Sequence, residues 1–279
     1  MAISRQQLTK ELEPGLNALF GLEYSRYDNQ HAEIYTTESS DRAFEEEVML
    51  SGFAGAPTKQ EGASVVFDQA NEAYTARYTH ETIALAFSIT EEAIEDNLYD
   101  RLAQRYTRAL ARSMSNTKQV KAAQVLNQAQ FTAVTGGDGV PLIANNHPLS
   151  NGGTFSNVLA TAADLNETSL EQALIDIQGF VDERGLKIAL NGRKMIIPKE
   201  LQFTAERLMK STLRTGTADN DINAINNMGM VPEGYRVNNF LTDTDSFFLL
   251  TDVPNGLKHF ERSPIKTALE GDFDTGNVR

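Results

Sequence analysis

The chain has no cysteine among its 279 residues, so disulfides and thiolate metal sites are excluded and an intracellular assembly route is allowed. No uncharged apolar run is long enough to span a bilayer. The opening "MAISRQQLTKELEPG" has no apolar core of the kind a secretory signal needs. Basic residues are in deficit: 25 Lys and Arg stand against 38 Asp and Glu, a net charge of -13. Such a chain repels nucleic acid on average and makes a poor tight DNA binder. A container for DNA needs no concentrated basic surface, so the charge leaves that role open.

The motifs of nucleotide chemistry are missing as well. There is no G-x-x-x-x-G-K-[ST] loop and no G-x-G-x-x-G opening a helix, and "TGGDGV" has the wrong spacing for either. The four histidines, His31, His80, His147 and His259, are far apart, with no H-E-x-x-H. "TDTDSFF" and "GDFDTGN" alternate aspartates as calcium loops do, but both lack the glycine and the distal glutamate. They read as solvated turns, and no metal or cofactor is expected. No G-x-S-x-G elbow is present.

One loop has the texture of an active site: "DGVPLIANNHPLSNGG", residues 138–153. His147 with Asp138 forms part of a Ser-His-Asp site if a serine meets them in space. Against this, Pro148 biases the histidine to an extended backbone and the preceding asparagines are ordinary turn formers. The reading adopted is a structural histidine closing a polar turn.

What is present suggests a chain that leans on other copies. Residues 4–20 read as a helical arm with a Ser4/Gln7 capping box and an apolar side of Leu8, Leu12, Leu16, Leu19 and Phe20, interrupted near Pro14. Residues 36–75 are polar and acidic. "FEEEVMLSGF" and "ASVVFDQ" are predicted as the two strands of a long hairpin around "AGAPTKQEG". An isolated two-stranded hairpin is marginal in water, so it needs outside support; a disordered loop is the alternative.

"EAYTARYTHETIALAFSIT" reads as a strand entering a core. A helix then starts at Thr90, with Ile89 and Ile94 as a staple and Glu91, Glu92, Glu95 and Asp96 at its positive end. Without glycine or proline until Gly136, it can run to about 131, or about 60 Å. A compact globule of this length is only about 50 Å across. Either the helix breaks near "SMSNT" or the subunit is elongated and flat. Arg101, Arg105, Arg108 and Arg112 share one helix face; Ile94, Leu98, Leu102 and Ala109 are predicted beside them as the apolar face. The arginines meet a neighbour's acids, meet nucleic acid, or are solvated with local ion pairs worth little.

Further on, a helix is predicted over 168–184, with a Thr168/Glu171 box and a stop at Gly185. "LKIALNGRKMIIP" is predicted as a hairpin turning at Asn191-Gly192, followed by a helix from Pro198 to about Leu213. "TGTADNDINAINNMG" reads as a loop. "GYRVNNF", "SFFLLTD", "LKHFER" and "IKTALE" read as strands, expected to pair with the strand before the long helix.

The succession "FSITEEAIEDNLYD", a long helix ending "QVLNQAQ", "DGVPLIANNHPL", a helix and "MIIPKEL" resembles, in order and spacing, the major capsid protein of tailed bacteriophages with the HK97 fold. The resemblance covers nearly the whole chain. It implies an α+β fold: an N-terminal arm over 1–35, an extended loop over 36–75, a peripheral domain with a spine helix over 76–137 and 241–279, and an axial domain over 138–240. It implies copies of the chain in pentamers and hexamers around packaged double-stranded DNA, with no sequence-specific binding, no membrane and no catalysis. Phe44, Val48, Phe53, Lys59, Phe67 and the four arginines are the candidates for contact between subunits. With only about 35 residues before the hairpin, a separate scaffolding protein is expected, beside a portal. Lys59, the only lysine near the loop tip, is not assigned a cross-link. An encapsulin-type compartment shell shares the fold and stays open, as does a soluble hydrolase using His147.

Overall fold

The structure, a computed structural model, describes residues 16–90, 99–214, 221–268 and 270, without the side chains of 99–102. The chain divides into two compact units. One takes residues 1–32, 81–122 and 261–279; the other takes 33–80 and 123–260.

In the first unit, residues 16–25 form helix α1. Phe20 is buried there and stacks on Tyr24 with ring centroids 6.0 Å apart. The long helix α2, Tyr99–Asn127, contributes its residues up to Ala122. It does not break at Ser113–Thr117. The Thr117 hydroxyl bonds back to the Ser113 carbonyl at 3.0 Å, and this satisfies the side chain within the helix. Within this unit the buried residues of α2 are small or polar: Ala103, Thr107, Ala111, Ser115 and Gln119, each four after the last. Of the expected apolar face only Ala109 has a described side chain, and the side chain of Leu102 lies outside the described residues. Ala109 is exposed, and Ile94 and Leu98, like the Thr90 helix start and the arm before residue 16, fall wholly or partly outside the described residues. Ala103 packs with Leu16, Phe87 and Ile89. Gln119 binds His31 twice: its Oε1 accepts the His31 backbone N–H at 3.0 Å, and its Nε2 lies 3.0 Å from the ring Nδ1.

The second unit is built on a three-stranded sheet. Its central strand is β6, Gly192–Ile197, with β7, Tyr235–Val237, parallel on one side and β8, Phe248–Thr251, antiparallel on the other. Side chains alternate across β6. Met195 and Ile197, fully buried, join Leu170 and Leu174 of helix α3, Glu167–Gln178, Leu208 and Met209 of α4, Gln202–Lys210, and Ile225 of α5, Ala224–Met228. Ile196, also fully buried, faces the other way, onto Ile34 and Leu126. Each such side chain stabilises the fold by about 1.5–3 kcal/mol.

Several sequence expectations shift. The box of α3 is made by Asn166 and Ser169, two residues earlier than Thr168/Glu171, and the helix stops at Gly179. Asn191-Gly192 is not a hairpin turn. Ala189 lies at φ 54°, a left-handed conformation no strand tolerates, and Gly192 begins the central strand. A Cβ at Gly192 would sit 2.6 Å from Leu174, so glycine is there for packing. The Asn-rich loop contains α5, capped by the Asn223 side chain.

The hairpin forms, but with a different return strand. β2, Phe44–Leu50, pairs antiparallel with β3, Glu72–Thr79, from Phe44↔Thr79 to Leu50↔Glu72. "ASVVFDQ" is not a strand; it lies in the loop between them. The closing strands therefore find other partners than expected: β9, Lys258–Glu261, pairs with β1, Thr36–Ser39, and "IKTALE" forms no strand among its described residues.

Candidate assembly surfaces and the His147 loop

The hairpin turns its apolar residues outward. In β2 the exposed positions are Phe44, Glu46, Val48 and Leu50, while Glu45, Glu47 and Met49 are half-buried. The three acids of β2 are all engaged. Arg77 holds Glu46 while lying 4.4 Å over the Phe44 ring. Lys258 holds Glu47, which helps keep the lysine's pKa above its usual value, and Glu45 accepts the Ser40 hydroxyl at 2.6 Å. In the loop, Phe53 is 61% exposed and Phe67 94%, with Val65 and Val66 exposed beside it. Lys59 is exposed too. Phe44 and Val48 thus share one strand face, and Phe53, Lys59 and Phe67 stand apart from it on the loop.

The loop is not free. Its neck is closed by Ser51 and Asn71, each backbone N–H donating to the other residue. Further out it is fastened to residues 183–184 of its own chain. The Gly52 N–H donates to Glu183, and one Arg184 nitrogen lies 3.0 Å from both Asp68 oxygens. Backbone N–H groups of Ala54 and Gln69 also point at Asp68 and, with Arg184, hold its pKa below the usual carboxylate value. Nothing in the sequence marks this contact, because its partners are more than a hundred residues apart. The exposed Leu50, Val65 and Val66 were also passed over, although "VVF" in a polar stretch is a visible signal.

Arg105, Arg108 and Arg112 lie exposed on α2, with no ion pair to any described residue. Arg101 is on the same helix, with its side chain outside the described residues.

His147 begins the short strand β4, His147–Pro148, paired with β5, Thr154–Phe155. Its Nδ1 lies 2.6 Å from the Asp138 carboxylate, whose other oxygen accepts the Val140 N–H at 3.3 Å. The ring also lies 6.2 Å from Phe155, which meets Phe180 edge-on at 4.8 Å. A His-Asp pair is two-thirds of a hydrolytic triad. The third member would have to reach Nε2, and that atom is buried without a hydrogen-bond partner among the described residues. A second constellation, Ser40 with His80 and Glu45, has the wrong order. The Ser40 hydroxyl gives its proton to Glu45, so His80 Nε2, 3.0 Å away, must donate to it and cannot act as its base. Among the described residues no group of three or more His, Cys, Asp or Glu can hold a metal ion, and no helix is long and apolar enough to cross a membrane.

A mixed helix-and-sheet chain with an outward-facing apolar hairpin has the character of a shell subunit, and comparison with solved structures bears this out for the fold. The chain is similar to the "Bacteriophage JBD30 capsid", with a TM-score of 0.58 and 12% identity over 77% of this chain and 92% of that one. It is similar to the "Procapsid of bacteriophage JBD30 computed in I4 symmetry", with a TM-score of 0.54 and 15% identity over 86% of this chain and 100% of that one. The fold is the HK97-like fold of phage capsids, as the sequence implied. No curated protein matches. The model of the family described as phage capsid protein matches residues 73–279, and the chain belongs to that family. It is a structural protein of the phage capsid, located in the virion. The match is with phage capsids, and the compartment-shell and hydrolase readings are not favoured.

Proposed function

We propose that this chain is the major head subunit of a tailed phage. Copies associate as pentamers and hexamers and close an icosahedral shell around double-stranded DNA, without sequence-specific binding, with a separate scaffolding protein and a portal. The observation that carries the reading is the family match over residues 73–279. The exposed apolar hairpin supports it, because contiguous exposed apolar surface marks an interaction site. In this reading the hairpin and its loop lie on a neighbouring subunit through Phe44, Val48, Phe53 and Phe67, with Lys59 at the loop tip. α2 is the spine of the peripheral domain, residues 138–240 form the axial domain, and the arm reaches outward. His147 is structural: it pins Asp138 and so fixes the path from α2 into the axial domain. The protein performs no catalysis and takes no cofactor.

The test is replacement of residues 52–70 by a short Gly-Ser turn. The variant should remain soluble and fail to close shells. Normal closed particles from it would refute the role given to the loop.

A further inference from the structure

We infer that the exposed arginine face of α2 binds the phosphate backbone of nucleic acid, rather than the acids of a neighbouring subunit. The inference rests on the shell reading above and names the surface that meets the packaged DNA.

The charge of α2 is opposite to that of the chain. Over Tyr99–Asn127 it holds six basic residues and one acid, Asp100, in a protein of net charge -13. Two cations of the same unit are paired with carboxylates, Arg26 with Glu23 and Lys121 with Glu81. Arg105, Arg108 and Arg112, which stand together on one helix face, have no carboxylate partner among the described residues. Spaced three and four apart, they form a line of charge about 10 Å long on one helix face.

Two features point away from a neighbour's surface. In the conspicuous acidic run of the hairpin, Glu46 and Glu47 are already paired with Arg77 and Lys258, which leaves Glu45, bonded to the neutral Ser40 hydroxyl, as its one uncompensated charge. The exposed residues beside the arginines on that face, Gln104, Ala109 and Asn116, are small or polar; the exposed Tyr106 lies on another side of the helix, against Phe87, and the exposed Val120 about two turns beyond Arg112. A polyanion needs no aromatic or aliphatic anchor. It is bound by charge alone, and guanidinium groups fit phosphate oxygens in pairs. The rest of the surface repels DNA, so this face is where a duplex can approach without sequence preference.

The experiment titrates the unassembled full-length chain and its R105Q/R108Q/R112Q variant with a random-sequence DNA duplex at several salt concentrations. Assembly of each is followed in parallel by light scattering. The parent should bind with a salt dependence that the variant loses by about 2.7 in the slope of log K against log salt, about 0.9 for each of three phosphate contacts. The variant should still close shells, and K121Q, at a paired cation, should leave the slope unchanged. An unchanged slope in the triple variant, with or without loss of assembly, would overturn the inference; loss of assembly with it would assign the arginines to a neighbour's acids. Failure of the parent chain to assemble would count against the shell reading and leave the DNA titration to judge this face alone.

Discussion

One nitrogen of Arg184 is held 3.0 Å from each carboxylate oxygen of Asp68, 116 residues away, and fastens the hairpin loop to its own chain. In the role proposed above, where the loop docks on a neighbour, this tie restrains it beforehand and lowers the ordering cost of docking. Arg184→Ala should raise amide exchange across residues 51–71 of the unassembled chain, while the paired amides of β2 and β3 keep their protection. Hydrogen exchange read by mass spectrometry checks this. Equal exchange in both proteins would mean that the ion pair does not restrain the loop.

A second ion cluster anchors residue 33 to the central sheet. Lys194, only 8% exposed, lies 2.8 Å from Glu33 and 2.9 Å from Glu233. Burial pulls the lysine's pKa down, but its bonds to the two glutamates outweigh this and raise it. The Lys194 bond lowers Glu33, while Arg193 first and Lys194 second lower Glu233, both from the usual 4.5. A carboxylate depressed in the folded state stabilises it above its unfolded pKa, and the contribution is lost as pH falls through the folded value. Thermal stability should therefore decline as pH drops below about 4.5. E33Q/E233Q should flatten that decline and cost about 2 kcal/mol at neutral pH, less than for a fully buried pair because both carboxylates touch solvent. Melting curves across pH 2.5–7, a range taken roughly from the carboxylate pKa values, check both effects.

Gly192→Ala places a methyl group 2.6 Å from Leu174, itself 2% exposed within the main core. The helix and the strand must separate or Leu174 must leave its rotamer, and the cost should be about 1–3 kcal/mol. Denaturant unfolding measures it. A neutral substitution would mean that Leu174 repacks freely.

His147→Ala leaves the Asp138 carboxylate, 11% exposed, without its ring partner. The expected loss is about 1–3 kcal/mol of stability, with shells still forming at low temperature. If the variant instead melts like the parent, the ring is not what holds the 136–148 crossing.

Much of the local chemistry was legible in the sequence, and the pairings were not. The apolar run of β6 and the capping signals near α3 announce themselves through periodicity and turn residues, and α2 declares its length by the lack of glycine and proline. Strand partners depend on contacts far along the chain. "ASVVFDQ" has better strand composition than "EAYTARYT", yet β3 takes the place opposite β2, where Arg77 meets Glu46 and Phe44. Asn-Gly at 191–192 carries the strongest turn signal, but Leu174 from a distant helix decides the role of the glycine. Around His147 the Asp138 partner was visible because it is nine residues away, whereas the Asp68–Arg184 tie spans 116.

Whether the chain closes a shell can be read from light scattering behind size exclusion, with negative-stain images of the early peak. Hollow shells, or rings of five and six that close when a scaffolding protein is added, are the expected result. A monomer that never assembles under crowding or with scaffold would mean that the chain does not build a shell.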